Sequence, residues 1–479
     1  YYHSGKQKEK TVVFDAFYRV NPSGNGFAIC CGLEQIVEYI KGLKFNEADI
    51  EYLKGLKIFS EDFLDYLKDF RFTGEIYAIP EGTVVFPMEP LLRVKANIMQ
   101  AQLLEAALLN IVNHQSLIAT KASRVVWAAQ GDPVMEFGLR RAQGPDAGIY
   151  GARAAEEFGN LMKPYAESGI KIIGGCCGTS NVLTGQMFDI AVKGTHAHSW
   201  VMSFPTELDA FRAYAKEFPN MCILLVDTYN TLEQGVPDAI TVFKEMKAKG
   251  PMPKGYGIRL DSGDIAYLSK KARIMLDEAG FTDAIISASS DLDEDLIASL
   301  KSQGAKVSLW GVGTRHITSA DSPAFGGVYK LSAETDDDGN FVPKIKLSNN
   351  PEKVTNPGVK KIIRIYDNST GKIKADLITL DEEVYDTNED LTIFDPNATW
   401  KTMTLKGGKY TMRELLVPVF ENGELVYNLP STEEIVDYAN KELNTLWDEH
   451  RRLKNPQIVP VDLSERLYLL REKMIRKMK

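Results

Sequence analysis

Seven short stretches of this chain place charged, hydroxyl or glycine residues directly behind an apolar run. In order they are Glu136–Arg141, Gly174–Asn181, Lys193–Ser199, Asp227–Asn230, Arg259–Asp264, Ser287–Asp291 and Trp310–His316. Small residues in succession leave backbone N–H groups free to face an oxyanion such as phosphate. Arg140, Arg141, Arg259 and Arg315 offer forked donors that match carboxylate or phosphate. Asp227, Asp261 and Asp264 suit a hard cation such as Mg²⁺, or sugar hydroxyls. His196, His198 and His316 are half of the six histidines, and an imidazole near neutral pH is a nucleophile or a proton carrier.

Each residue also has a plainer use. Phe137 could be core, and Arg140 and Arg259 could pair with structural carboxylates. Asp227 and Asp261 could form strand-end turns, Gly313 could answer a backbone need, and Thr179, Ser199 and Thr314 could cap helices. A lone histidine such as His198 is more often structural than catalytic, and His3, His114 and His450 are read as structural. These uses explain residues one at a time. They leave unexplained why every candidate follows an apolar run.

The runs themselves are Val134–Leu139, Ile170–Ile173, Ile190–Lys193, Cys222–Asp227, Gly257–Leu260, Ala284–Ser287 and Val307–Trp310, with helical patterns such as Ala239–Lys249 and Ile265–Ala279 between them. Alternating strands and helices predict a parallel sheet. Seven such units without a G-x-G-x-x-G opening favour an irregular α/β barrel over an open nucleotide-binding sheet. In a barrel the candidates would collect at the C-terminal strand ends. The expected organisation is an α+β N-terminal domain over 1–125, the α/β barrel over 126–332, and a C-terminal extension over 333–479. The first segment should hold strands at Thr11–Val20, Glu75–Ile79 and Thr83–Phe86, a helix opening at Ser60, and a long helix over Ile98–Thr120. The last should hold strands at Lys361–Tyr366, Lys374–Leu380 and Thr411–Val419 and helices at Thr432–Glu442 and Leu463–Lys477.

With 479 residues and 44% apolar content the chain can bury a sizeable core, and no stretch reaches the ~20 apolar residues of a membrane span. A net charge of −9 argues against general affinity for nucleic acid or an anionic membrane, while leaving room for a small anionic substrate. Five cysteines, four of them in adjacent pairs, do not form a disulfide or zinc framework and point to a reducing, cytoplasmic setting. No secretory signal is expected.

Beyond these readings, EFGLRRA (Glu136–Ala142), GTSN (Gly178–Asn181), GTHAHS (Gly194–Ser199), RLDSGD (Arg259–Asp264) and GVGT (Gly311–Thr314) resemble nicotinate phosphoribosyltransferase, of the type II phosphoribosyltransferases. The resemblance runs from about residue 10 to the C-terminal helices, and GTHAHS is its most specific part. It implies transfer of phosphoribose from phosphoribosyl pyrophosphate to nicotinate, the first step of NAD salvage from that pyridine. It further implies a phosphorylated histidine, ATP hydrolysis in the manner of a ligase, Mg²⁺, and a homodimer with sites at the subunit interface. Carried over by residue, Phe137 would stack on the pyridine, Arg259 would meet its carboxylate with Arg140 alongside, and Ser180 and Thr195 would line the same pocket. Asp261 would hold ribose hydroxyls, while Ser289, Ser290, Gly313 and Thr314 would cradle the 5′-phosphate. His198 would accept phosphate from ATP. A tyrosine that the family brings from the neighbouring subunit is expected ahead of Tyr1, and no metal ligand is assigned.

The charge logic fits this chemistry. Displacement of pyrophosphate from an anomeric carbon asks for positioning and charge neutralisation more than for acid–base groups. The chain has no G-x-x-x-x-G-K-[ST] loop, so ATP would use the same phosphate-binding strand ends. Rival readings are a nicotinamide or quinolinate phosphoribosyltransferase, an unrelated barrel enzyme acting on sugar phosphates, or a non-catalytic binder. Among these, a Schiff-base aldolase wants a strand-end lysine, for which only Lys193 qualifies.

Overall fold

Thr11–Phe17 (TVVFDAF) is buried at every position from Val12 onward, and a strand covered on both faces belongs inside a sheet. It does so here. In this computed structural model, which describes residues 1–156, 176–350 and 353–478, Thr11–Phe17 pairs antiparallel with Val328–Thr335 on one side and Leu92–Asn97 on the other. The full order is Phe341–Pro343, Val328–Thr335, Thr11–Phe17, Leu92–Asn97, Glu75–Ala78, Val417–Glu421 and Glu424–Leu425. Strands from 1–125 and from 333–479 thus share one sheet. The buried Asp15 in the central strand is neutralised by Lys360 at 2.7 Å.

The chain divides into two compact units: Tyr1–Leu117 with Ala324–Ser431 and Lys441–Lys479, and Ile118–Pro323 with Thr432–Asn440. A second sheet in the first unit has the order Tyr410–Glu414, Lys360–Asp367, Ile373–Leu380 and Val461–Leu463. The strand expected over Thr411–Val419 is therefore two strands in two sheets, separated by the buried pair Leu415 and Leu416.

The second unit is built on six parallel strands in the order Cys176–Thr179, Val134–Glu136, Leu309–Val312, Ile285–Ser290, Gly255–Leu260 and Met221–Leu225. Every pairing in it is parallel, so all six C-terminal ends lie on one side. This is a half-barrel of six strands rather than seven regular units. Ile190–Lys193 contributes only a single bridge, Val192 to Thr179, and Ile170–Ile173 lies outside the described residues. The first strand also ends at Glu136, not Leu139, because the chain turns there into a short 3₁₀ segment, Leu139–Arg141.

The helices follow from their caps. Ile265–Glu278 starts where the Asp264 carboxylate accepts the Tyr267 N–H at 2.9 Å, and Val236–Lys249 opens with Pro237 in its first turn. The helix expected over Ile98–Thr120 runs on to Ala129, its added turns burying Ala122, Val125, Val126, Ala128 and Ala129. Among the described residues no helix is long and apolar enough to cross a membrane.

Candidate active site

Arg259 and Asp261 sit two residues apart at the end of Gly255–Leu260, and side chains two apart on a strand share a face. The Arg259 guanidinium donates to the His196 carbonyl at 2.8 Å and to Ser289 Oγ at 3.3 Å, and lies 3.7 Å from Asp261 Oδ1. Ser289, at the end of the neighbouring strand, donates its hydroxyl to the same Asp261 oxygen. Only 14% of the Arg259 side chain is exposed, and burial lowers its pKa below the usual guanidinium value, against the pull of Asp261 and Asp227. A cation held dry in this way favours an anionic partner in front of it.

His198 opens the short helix His198–Met202. Its Nδ1 meets Thr228 Oγ1 at 3.1 Å, and its Nε2 lies 3.8 Å from Asp261 Oδ2, so Asp261 bridges the histidine and the arginine. Asp227, next to Thr228, accepts from the Asp261 N–H at 2.9 Å and from Ser262 Oγ at 2.6 Å through one oxygen. Its other oxygen is buried without a hydrogen-bond partner. His198 is 39% exposed and open to a ligand. His196, two residues earlier, is buried at 7% exposure, and burial pushes its pKa down to about 4, so its ring is neutral.

A second group forms around the strand Val134–Glu136. Glu136 is fully buried, with its pKa raised by burial, and accepts from the Gly138 N–H and from Thr179 Oγ1. Its carbonyl accepts the Ser180 N–H at 3.0 Å. Phe137 is partly buried against Met135, Ile223 and Leu309. Its ring lies along Gly311 so closely that a Cβ there would come within 2.6 Å of it. Glycine is what lets this flat wall stand beside the strand.

Other candidates are distributed around these two groups. Arg140 is exposed on the 3₁₀ turn and near enough to Arg259 to disfavour its charge. Ser180 and Ser290 are exposed at strand ends, and Thr195 is half-buried with its hydroxyl on the His196 carbonyl. Gly313 and Thr314 start the single turn Thr314–Ile317. Asp264, read as a possible ligand for a cation or ribose, has its carboxylate engaged in capping a helix. His316 points away from this chemistry. It is fully buried, its pKa pushed down to about 4, with Lys121 and Glu294 as its charged neighbours.

Comparison with known proteins fixes the lineage. Residues 1–113 match the model of the nicotinate phosphoribosyltransferase N-terminal domain, and residues 359–471 that of the C-terminal domain. Over 95% of its length, and 89% of the relative's, the chain is 45% identical to nicotinate phosphoribosyltransferase of Bacillus subtilis. The chain belongs to the nicotinate phosphoribosyltransferase family. It is also 31% identical to the human nicotinate phosphoribosyltransferase, covering 98% of this chain and 93% of that one. The crystal structure of human nicotinic acid phosphoribosyltransferase superposes with a TM-score of 0.81 at 28% identity, covering 99% of this chain and 97% of the other. A nicotinate-nucleotide pyrophosphorylase from Pyrococcus furiosus, 22% identical with a TM-score of 0.65 over 91% of this chain and 90% of its own, shares the fold.

For a nicotinate phosphoribosyltransferase family member, the cluster of Arg259, Asp261, Ser289 and His198 joins two strand ends and one helix start. Reading by sequence missed Thr228 and Glu136 as contributors. Thr228 carries no motif, whereas Glu136, a carboxylate inside an apolar strand, was a visible signal.

Proposed function

We propose that the chain joins the ring nitrogen of nicotinate to the anomeric carbon of phosphoribosyl pyrophosphate, and that ATP phosphorylates His198 during turnover. The C–N bond forms as the bond to pyrophosphate breaks, its electron pair leaving with the pyrophosphate. The observation that carries the reading is the buried Arg259 fork beside Asp261 and Ser289, with His198 opposite on the same carboxylate. Arg259 receives the nicotinate carboxylate, and Phe137 offers a flat apolar wall to the ring. Arg140, Ser180 and Thr195 border that pocket. Asp261 takes ribose hydroxyls, and Ser289, Ser290, Gly313 and Thr314 supply hydroxyl and N–H donors to the 5′-phosphate.

In this reading His198 Nδ1 donates to Thr228 Oγ1, 3.1 Å away, so that Nε2 keeps its lone pair for the γ-phosphorus of ATP. That N–P bond forms as the bond to ADP breaks, and later hydrolysis restores the imidazole. Mg²⁺ fits the donor set: Asp227 holds a buried, unpartnered carboxylate oxygen, and Asp261 lies beside it. Among the described residues no three His, Cys, Asp or Glu side chains group to hold a metal alone, so substrate phosphates and water would complete its shell. When bound it supplies charge neutralisation to the leaving pyrophosphate. The reading includes a homodimer and a cytoplasmic location.

The test supplies phosphoribosyl pyrophosphate, Mg²⁺ and ATP with nicotinate, nicotinamide or quinolinate. Nicotinate mononucleotide should form far faster than the product of either other pyridine, and an equal rate with nicotinamide would overturn the substrate assignment. γ-Labelled ATP should leave an acid-labile, base-stable label on the protein and none on His198→Ala. That variant should lose ATP hydrolysis yet keep slow synthesis at high phosphoribosyl pyrophosphate. If His198→Ala still hydrolyses ATP in step with product, the acceptor lies elsewhere.

A further inference from the structure

We infer that His196 is a positioning residue, whose ring closes the open edge of the parallel sheet while its carbonyl holds Arg259, so that one residue sets where Arg259 and His198 stand relative to each other. The inference rests on the roles proposed above for those two side chains.

The sheet edge supplies the first observation. Met221–Leu225 pairs with Gly255–Leu260 on one side, and among the described residues no strand pairs with its other side. The Val226 N–H is used inward, on the Arg259 carbonyl at 3.2 Å. Leu225 therefore presents its N–H outward, where a buried donor without a partner is costly. It donates instead to His196 Nε2 at 3.2 Å.

That bond fixes the ring. To accept from an N–H, Nε2 must carry its lone pair, so the proton sits on Nδ1, which lies 3.4 Å from the Ala197 carbonyl. Ala197 is the residue that precedes the helix opening at His198. One nitrogen thus grips the strand edge and the other the turn that presents His198. The ring is held edge-on to Tyr214 at 4.6 Å between centroids and tilted against Phe211 at 6.0 Å. Burial, with the Arg259 cation nearby, keeps it in this one neutral form.

The carbonyl of the same residue accepts Arg259 Nη2 at 2.8 Å, while Arg259 Nε is buried with no partner. The plane of the guanidinium is thus set by His196 on one side and by Ser289 and Asp261 on the other. A shift of the His196 backbone moves the carboxylate-binding fork and the phosphate-accepting imidazole together, and a misplacement of that kind weakens binding of the reactant.

His196→Phe keeps the aromatic packing and removes both nitrogens, whereas His196→Gln retains an acceptor for the Leu225 N–H. His196→Phe should raise the KM for nicotinate about tenfold with kcat within about twofold, and His196→Gln should recover most of that rise. A purely structural histidine would lower Tm in both variants and leave KM unmoved, and that result overturns the inference. Should His196→Phe fail to fold, His196→Asn replaces it: its shorter amide falls short of Leu225 and should show the raised KM, and equal KM for Asn, Gln and parent overturns the role. A parent protein that makes no nicotinate mononucleotide removes the catalytic reading and this one with it. A turning-over parent matched by His196→Phe removes only the positioning role.

Discussion

Arg259→Ala tests the carboxylate clamp most directly. The truncation removes donors to the His196 carbonyl, at 2.8 Å, and to Ser289, at 3.3 Å, and takes the cation away from Asp261, at 3.7 Å. Hydrogen bonds to charged groups contribute about 1.5–3 kcal/mol each, and the fork is largely dry, so solvent screens it little. One such bond lost to nicotinate corresponds to a rise in KM of about 10- to 150-fold. Two effects compete in the free protein. The guanidinium is desolvated with an unpartnered Nε, so its removal relieves strain, while Asp261 loses a neighbour that balances its charge. These oppose each other, and Tm should move by only a few degrees. Steady-state kinetics with nicotinate varied at saturating phosphoribosyl pyrophosphate reads the clamp. Arg259→Lys, which keeps the charge without the fork, should recover part of the loss. If Arg259→Ala leaves the nicotinate KM within twofold of the parent while raising that for phosphoribosyl pyrophosphate, Arg259 serves the sugar phosphate and the clamp is elsewhere.

Two further perturbations probe specificity and pH. Ser180 is exposed and its N–H is held by the Glu136 carbonyl at 3.0 Å, so its side chain can change without disturbing the turn. Ser180→Asp places a negative charge at the pocket rim and should cut kcat/KM for nicotinate about five- to tenfold while sparing nicotinamide. An unchanged ratio between the two pyridines would show that Ser180 does not face the ring. Glu207 opens the helix Glu207–Glu217, is 1% exposed, and neither of its oxygens has a hydrogen-bond partner. Burial, with Asp238 and Asp227 adding to it, pushes its pKa up to about 7 from the ordinary 4.5. The folded state therefore keeps a proton that the unfolded chain releases first, and stability is lost as pH rises between those values. Glu207→Gln removes that slope, so its Tm should gain on the parent from pH 5 to pH 8. Parallel melting curves across that range would mean that Glu207 ionises as freely in the fold as outside it.

Much of the site is legible in the sequence because its chemistry is carried by strand ends, and strand ends are local. Arg259 and Asp261 share a face simply by being two apart. Contacts between strands are a different matter. The bond from His198 to Thr228 and the one from Ser289 to Asp261 depend on sheet order, which no spacing encodes. For the same reason Val328–Thr335 completes a sheet begun by Thr11–Phe17, about which the local pattern says only that Thr11–Val20 is a strand. Apolar runs mislead where burial serves another purpose. Ile190–Lys193 makes one bridge, and Leu415–Leu416 breaks a run in two because the chain changes sheets there.

The two histidines of GTHAHS make the limit concrete. By spacing alone they are equals, two residues apart in one motif, and only the family resemblance singles out His198 as the phosphate acceptor. The fold separates them by what each ring can reach. His196 turns inward between Tyr214 and Phe211, where its acceptor nitrogen is committed to Leu225 and its proton is pinned by burial. His198 turns outward, holding one nitrogen on Thr228 and leaving the other beside Asp261. A nucleophile needs a path to its substrate, which the buried His196 ring lacks and the part-exposed His198 ring has. The Leu225 N–H at the sheet edge occupies the acceptor nitrogen of His196, which leaves His198 as the ring our proposal uses.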